Sequence, residues 1–225
     1  MMRKLFPVLL AINAVLFVAA LIFINRVPPE SSMGLVQKIF YFHVPSWIAM
    51  YLGIAICGVG SIWYLATGRP QADRAAVAGG ELAVLFGLVG LVTGPLWARK
   101  AWGVWWQWDA RLTTALLLWL TFVAYLTVRK YGGPGSEKLA AAVGLFGTAV
   151  APFVYFSVNI WRTVHPLTTV MPELPNSAPE MVPPMLASIF SFLFLFVVLL
   201  MARLALGRRQ ADVDELYLAY EDRTA

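Results

Sequence analysis

A chain of 225 residues that is 60% hydrophobic and only 13% charged does not have the make-up of a soluble domain, where about 45–50% apolar and about 25% charged residues are usual. Its net charge of +5 does not point to nucleic acid, because the basic residues stand singly or in pairs between apolar runs and never form a patch. A single cysteine, Cys57, excludes an intramolecular disulfide and any dithiol chemistry by this chain alone.

Crossing about 30 Å of hydrocarbon takes about 20 apolar residues in a helix, and six runs meet that demand. The first, residues 5–24, follows Arg3 and Lys4. It is too long for the apolar core of a signal peptide and no A-x-A site follows it, so it reads as a retained helix. A connection over 25–43 then ends in Phe40-Tyr41-Phe42-His43. Pro45 disfavours helical geometry at Val44, which puts His43 at the mouth of the second run, 44–66. Cys57 lies inside that run and reads as a packed small apolar residue.

A short connection, 67–75, leads to the third run, 76–96, which carries Glu81 near one end. A carboxylate within a span is a functional candidate by default, but so close to the interface a solvated position is expected. Residues 97–111 form a tryptophan-rich segment before the fourth run, 112–128. The connection 129–138, with Gly132-Gly133-Pro134-Gly135, precedes the fifth run, 139–160. A proline-rich connection, 161–183, holds His165 and leads to the sixth run, 184–206, and a tail, 207–225. The runs are continuously apolar and do not alternate, so the expected fold is all-α: one six-helix membrane bundle and not a barrel. Small residues such as Gly53, Gly58, Gly60, Gly87, Gly90, Gly144 and Gly147 read as helix-packing sites.

With the N-terminus inside, eleven of the 17 basic residues fall on the inner side; Arg26, Lys38, Arg99, Lys100, Arg111 and Arg162 fall outside. The positive-inside rule then puts both termini and the tail in the cytoplasm. The three long connections, 25–43, 97–111 and 161–183, face outward from a bacterial cytoplasmic membrane. Long irregular loops gathered on one face are where ligands are usually met.

Five of the nine tryptophans fall between Trp97 and Trp108, in a stretch that continues Trp102-Gly103-Val104-Trp105-Trp106-Gln107-Trp108-Asp109-Ala110-Arg111-Leu112-Thr113. If that stretch is helical, Trp102, Trp105, Trp106 and Asp109 share one face, and three indoles make an apolar shelf with a carboxylate at its end. Such a shelf suits a large flat apolar ligand. An interfacial aromatic belt is the plainer alternative, but the density exceeds what anchoring needs. The chain has only two histidines, His43 and His165, both on the outer side, one on each side of the tryptophan segment. Two neutral imidazoles can ligate haem iron axially; the plainer alternative is two surface histidines without a ligand. Arg99, Lys100, Arg111 and Arg162 can neutralise ligand carboxylates or snorkel to lipid phosphates. No phosphate loop of the G-x-x-x-x-G-K-[ST] type is present, so the chain does not hydrolyse ATP alone, and no hydrolase pattern points to turnover chemistry.

The stretch from Trp102 to Thr113 resembles the tryptophan-rich (WWD) signature of the haem-handling proteins of cytochrome c maturation. In size and helix number the chain is similar to the haem exporter protein C family, CcmC, and the resemblance covers nearly its whole length. It implies a membrane bundle that binds haem b non-covalently, as cargo, on its outer surface. It implies His43 and His165 as axial ligands to the iron and the segment from Trp102 through Trp105, Trp106 and Trp108 to Asp109 as platform, with Arg111 beside it. It further implies presentation of haem to the membrane-anchored haem chaperone CcmE, in company with the ABC-type subunits CcmA and CcmB and the small membrane protein CcmD. Three rivals make different demands, of which a quinone-linked electron carrier should show reversible redox turnover with quinol. A channel-type transporter of haem or another solute needs a polar midplane pathway or broken helices; a non-haem structural subunit of an ABC-type complex needs neither histidine.

Overall fold

A computed structural model describes residues 2–31, 33–165 and 179–224. Among these residues there are six helices long and apolar enough to cross a membrane: α1 (Met2–Arg26), α2 (Phe40–Thr67), α3 (Pro70–Ala101), α4 (Ala110–Tyr131), α5 (Ser136–Ile160) and α6 (Val182–Thr224). The chain is a polytopic membrane protein of all-α architecture, as its apolar runs require. Short 3₁₀ turns, Leu35–Ile39 and Pro179–Met181, lead into α2 and α6.

Every helix but α5 runs past the apolar stretch that announces it at both ends, and α5 does so at its start. Charged residues end a run of hydropathy, but they do not end a hydrogen-bond ladder. What ends it is local chemistry. Gly68 closes α2 in the left-handed conformation (φ 65°), donating its N–H to Tyr64 O at 2.7 Å, and Pro70 opens α3 at its first turn. A glycine past one end and a proline inside the next start need only two residues between them, so the connection expected over 67–75 shrinks to residues 68–69. The tail belongs to the sixth helix: α6 continues unbroken to Thr224.

Two corrections concern the outer connections. Pro45 does not delay α2; it sits inside it, and the helix begins at Phe40, so His43 stands in its first turn. Prolines are tolerated in membrane helices; beside this one, Ser46 Oγ donates to His43 O at 2.7 Å. Residues 102–109 of the tryptophan segment, conversely, are not helical. Gly103 takes φ 79°, and the chain runs irregularly until Asp109 starts α4. The proline-rich stretch that begins at Pro166 and the rest of 167–178 lie outside the described residues.

Helices α2 and α3 are the centre of the bundle, with α4, α5 and α6 around them and α1 resting on α6. Their crossing is close because small residues face each other: a Cβ on Gly79 would lie 2.6 Å from Cys57 N and 2.7 Å from Gly53 O. The core, with Met50, Ile54, Phe86, Leu118, Phe122 and Phe196, packs around this pair. Among the described residues, ion pairs between helices gather at the end away from the tryptophans. Arg129 of α4 reaches Asp73 of α3 at 2.7 Å and Glu137 of α5 at 3.4 Å. Glu81, expected to be solvated, forms a two-point ion pair with Arg203 of α6, with Arg203 Nη2 2.7 Å from Oε1.

Candidate functional site

At the end of the bundle carrying the irregular connections, residues of α2, α3, α4 and α5 surround a cavity whose empty space, open mouth included, is about 1180 Å³. Indole and aliphatic side chains make most of its wall, and it is lined by both histidines of the chain, His43 and His165. Trp102, Trp105, Trp106 and Arg111 line it too, joined by Trp47, Tyr51, Trp97 and Tyr155.

His43 is half-buried and held on both ring nitrogens. Trp47, one turn further along α2, donates its indole N–H to Nε2 at 3.2 Å. Nδ1 lies 3.0 Å from Thr93 Oγ1 on α3. An indole can only donate, so Nε2 must be the bare nitrogen and Nδ1 must carry the proton. The Thr93 hydroxyl, having accepted from Nδ1, passes its own hydrogen to Val89 O at 2.7 Å. Small residues of α3 make room for this pair. A Cβ on Gly90 would stand 2.6 Å from Trp47 Cε2, and one on Gly94 3.2 Å from His43 Cε1.

His165 arrives from the segment after α5 and faces Trp102, ring centroids 6.2 Å apart. What holds that segment is Asp109. Its Oδ1 caps α4 by accepting from Leu112 N at 2.8 Å, as N-cap carboxylates do. Its Oδ2 accepts from the Thr163 hydroxyl and from Val164 N at 3.2 Å, and His165 N in turn donates to Thr163 Oγ1 at 3.1 Å. Asp109 thus braces the wall and does not line it.

The remaining expected residues divide. Arg111 lies at the cavity edge with its guanidinium donating to Val154 O at 2.6 Å and Tyr155 O at 3.0 Å. Arg99 folds back onto Gly103 O, and Lys100 and Arg162 are exposed. Trp108 is 76% exposed and meets the site only through Trp106, edge to face at 5.7 Å. The three-indole shelf therefore exists, but as an irregular loop wrapped around a cavity and not as one helical face. Trp47 was missed, because Pro45 set His43 outside the helix on which the two stand four apart. Gly90 and Gly94 stand four apart on α3 with Thr93 between them, but only the docking of α3 against α2 brings them to His43 and Trp47.

The profile of the family described as CcmC, "Heme exporter protein C", matches residues 1–216. The chain belongs to the haem exporter protein C family. It is 34% identical over 171 residues to "Heme exporter protein C" of Bradyrhizobium diazoefficiens, an overlap of 75% of this chain and 65% of that protein. Against the protein of the same name from Escherichia coli it is 30% identical over 206 residues, 85% of this chain and 80% of the relative. A "Putative cytochrome c biosynthesis ccmC-like mitochondrial protein" of Arabidopsis thaliana is 34% identical over 139 residues, 61% of this chain and 52% of that one. The chain thus spans about two thirds of the length of the first relative and four fifths of the second.

Proposed function

We propose that this protein binds haem b non-covalently at the outer face of a bacterial cytoplasmic membrane and delivers it to the haem chaperone CcmE during c-type cytochrome maturation. CcmA, CcmB and CcmD are its companions in that reading. One observation carries it: the only two histidines of the chain, far apart in sequence, line the same aromatic cavity.

The donor set suits the cargo. Indole faces and apolar walls match a porphyrin, which buries large flat area. Paired neutral imidazoles are the axial set for low-spin iron, and His43 already has its proton on Nδ1 and its lone pair on Nε2. The buried indole N–H groups of Trp97 and Trp106 have no acceptor within the described protein. Buried donors in native folds are nearly always paired, and propionate oxygens are acceptors of the right kind. Arg111 adds a positive charge at the edge. In this reading His43 and His165 hold the iron, Trp102, Trp105 and Trp106 hold the macrocycle, and release to the chaperone needs one histidine to let go.

The test is the absorption spectrum of the detergent-purified protein, oxidised and reduced, beside His43→Ala and His165→Ala. A low-spin b-type spectrum that each variant loses is the expected result. Failure of the wild type to take up added hemin would overturn the reading and leave the cavity as a docking surface for protein.

A further inference from the structure

The atom that would face the iron is already engaged. Nε2 of His43 accepts the indole N–H of Trp47 at 3.2 Å, so an approaching metal and Trp47 compete for one lone pair. This competition is built into the cavity: Trp47 is itself a wall residue, and α3 carries glycine at residue 90, where any Cβ would stand 2.6–2.7 Å from the indole's Cε2 and Nε1. On the far side of the ring, the Thr93 hydroxyl holds the Nδ1 proton at 3.0 Å and keeps the lone pair aimed at the same spot.

The geometry points to Trp47 as a displaceable cap on the His43 axial position, with Thr93 as the brace that keeps that position competent. The inference rests on the reading of His43 as an iron ligand. Its chemistry is an exchange in which no covalent bond changes in the protein. When iron takes Nε2, the Trp47 N–H turns to another acceptor or to water. When iron leaves, the indole closes the lone pair again, so the haem-free state is not left with an unsatisfied nitrogen. Cap and brace are therefore positioning residues with opposite effects: the cap favours release and the brace favours binding.

Hemin titration of the full-length protein in detergent separates them. Trp47→Phe keeps an aromatic wall but removes the N–H. A hydrogen bond between neutral groups is modest in net terms, so hemin should bind about five-fold tighter and pass to excess apomyoglobin correspondingly more slowly. Thr93→Val, which keeps the shape and removes the brace, should weaken binding by about ten-fold or more and reduce the low-spin fraction, as loss of a partner behind a metal-bound histidine does. The gain from Trp47→Phe should vanish in a His43→Ala background. Should Trp47→Phe fail to fold, Gly90→Ala crowds the same indole off the ring nitrogen and should shift affinity in the same direction. Equal or weaker binding by the cap variants, while His43→Ala still abolishes the low-spin spectrum, overturns the cap and leaves the ligand assignment standing. Wild-type affinity and spectrum in His43→Ala overturn the assignment itself, and the cap with it.

Discussion

Asp109 shows how one carboxylate can matter to a cavity it does not touch. One oxygen caps α4 through Leu112 N; the other gathers the Thr163 hydroxyl and Val164 N and so sets where His165 can reach. Asn at this position keeps the capping oxygen but turns an NH₂ toward donors that need an acceptor. Asp109→Asn should therefore leave α4 in place yet weaken hemin binding by about ten-fold, the size of effect seen when the support of a metal-bound histidine is removed. Asp109→Ala should lower stability by about a further 1 kcal/mol through the lost cap. Hemin titration and thermal unfolding in detergent would show the two effects separately; an Asn variant with unchanged affinity would reduce Asp109 to capping alone. At this scale much was legible. His43 and His165 stand out by scarcity, and Trp102, Trp105 and Trp106 by density, and all five line one cavity. Thr93 was not legible, because a threonine in an apolar run shows its partner only once α2 and α3 have docked. Trp108 shares that density but turns outward, and a list of letters does not say which indole does so.

Among the elements, the six helices follow from composition because lipid leaves only helices and closed barrels to pair the backbone, and continuously apolar runs fit helices. Their ends were less legible, since charge marks where the hydrocarbon stops and not where the helix does. The tryptophan segment shows the limit of periodicity: its i, i+3, i+4, i+7 spacing suits a helix, but Gly103 at φ 79° and Asp109 in extended geometry at the N-cap set it aside. The α2–α3 crossing is the element-level feature on which the cavity depends, because His43 and Trp47 come from one helix and Thr93 from the other. At Gly79 the nearest obstacles to a Cβ are backbone atoms, Cys57 N at 2.6 Å and Gly53 O at 2.7 Å, which cannot turn aside as a rotamer can. Gly79→Ala should thus part the helices and destabilise the bundle by about 1–3 kcal/mol, the usual range for overpacking. At Gly144 a Cβ would meet side-chain atoms instead, Cys57 Sγ and Ser61 Oγ at 3.1 Å, so Gly144→Ala should cost less. Unfolding by denaturing detergent, read by helical circular dichroism, would rank the two; equal stability would show that the crossing yields more easily than its backbone contacts imply.

Considered whole, the molecule is polarised along the membrane normal. Successive spans alternate in direction, so residues 102–109, the segment carrying His165 and the turn before α2 share one end with the aromatic cavity. The two-residue link at 68–69, the link at 132–135 and both termini share the other, with the Asp73–Arg129–Glu137 and Glu81–Arg203 ties nearby. Helix α6 exaggerates the asymmetry: 43 residues at about 1.5 Å each make a rod about twice the hydrocarbon thickness, and its exposed far stretch projects from the end opposite the cavity. Basic residues such as Arg69, Arg74, Lys130 and Lys138 lie at that same end, which the positive-inside rule assigns to the cytoplasm. Single cysteines in a Cys57→Ala background test the assignment directly. In intact spheroplasts a membrane-impermeant maleimide should label Ser31→Cys, on the exposed turn before α2, and should leave Thr67→Cys and Gln210→Cys unlabelled until the membrane is opened. The reverse pattern would turn the cavity toward the cytoplasm. The outer-face part of the proposed function would then be overturned.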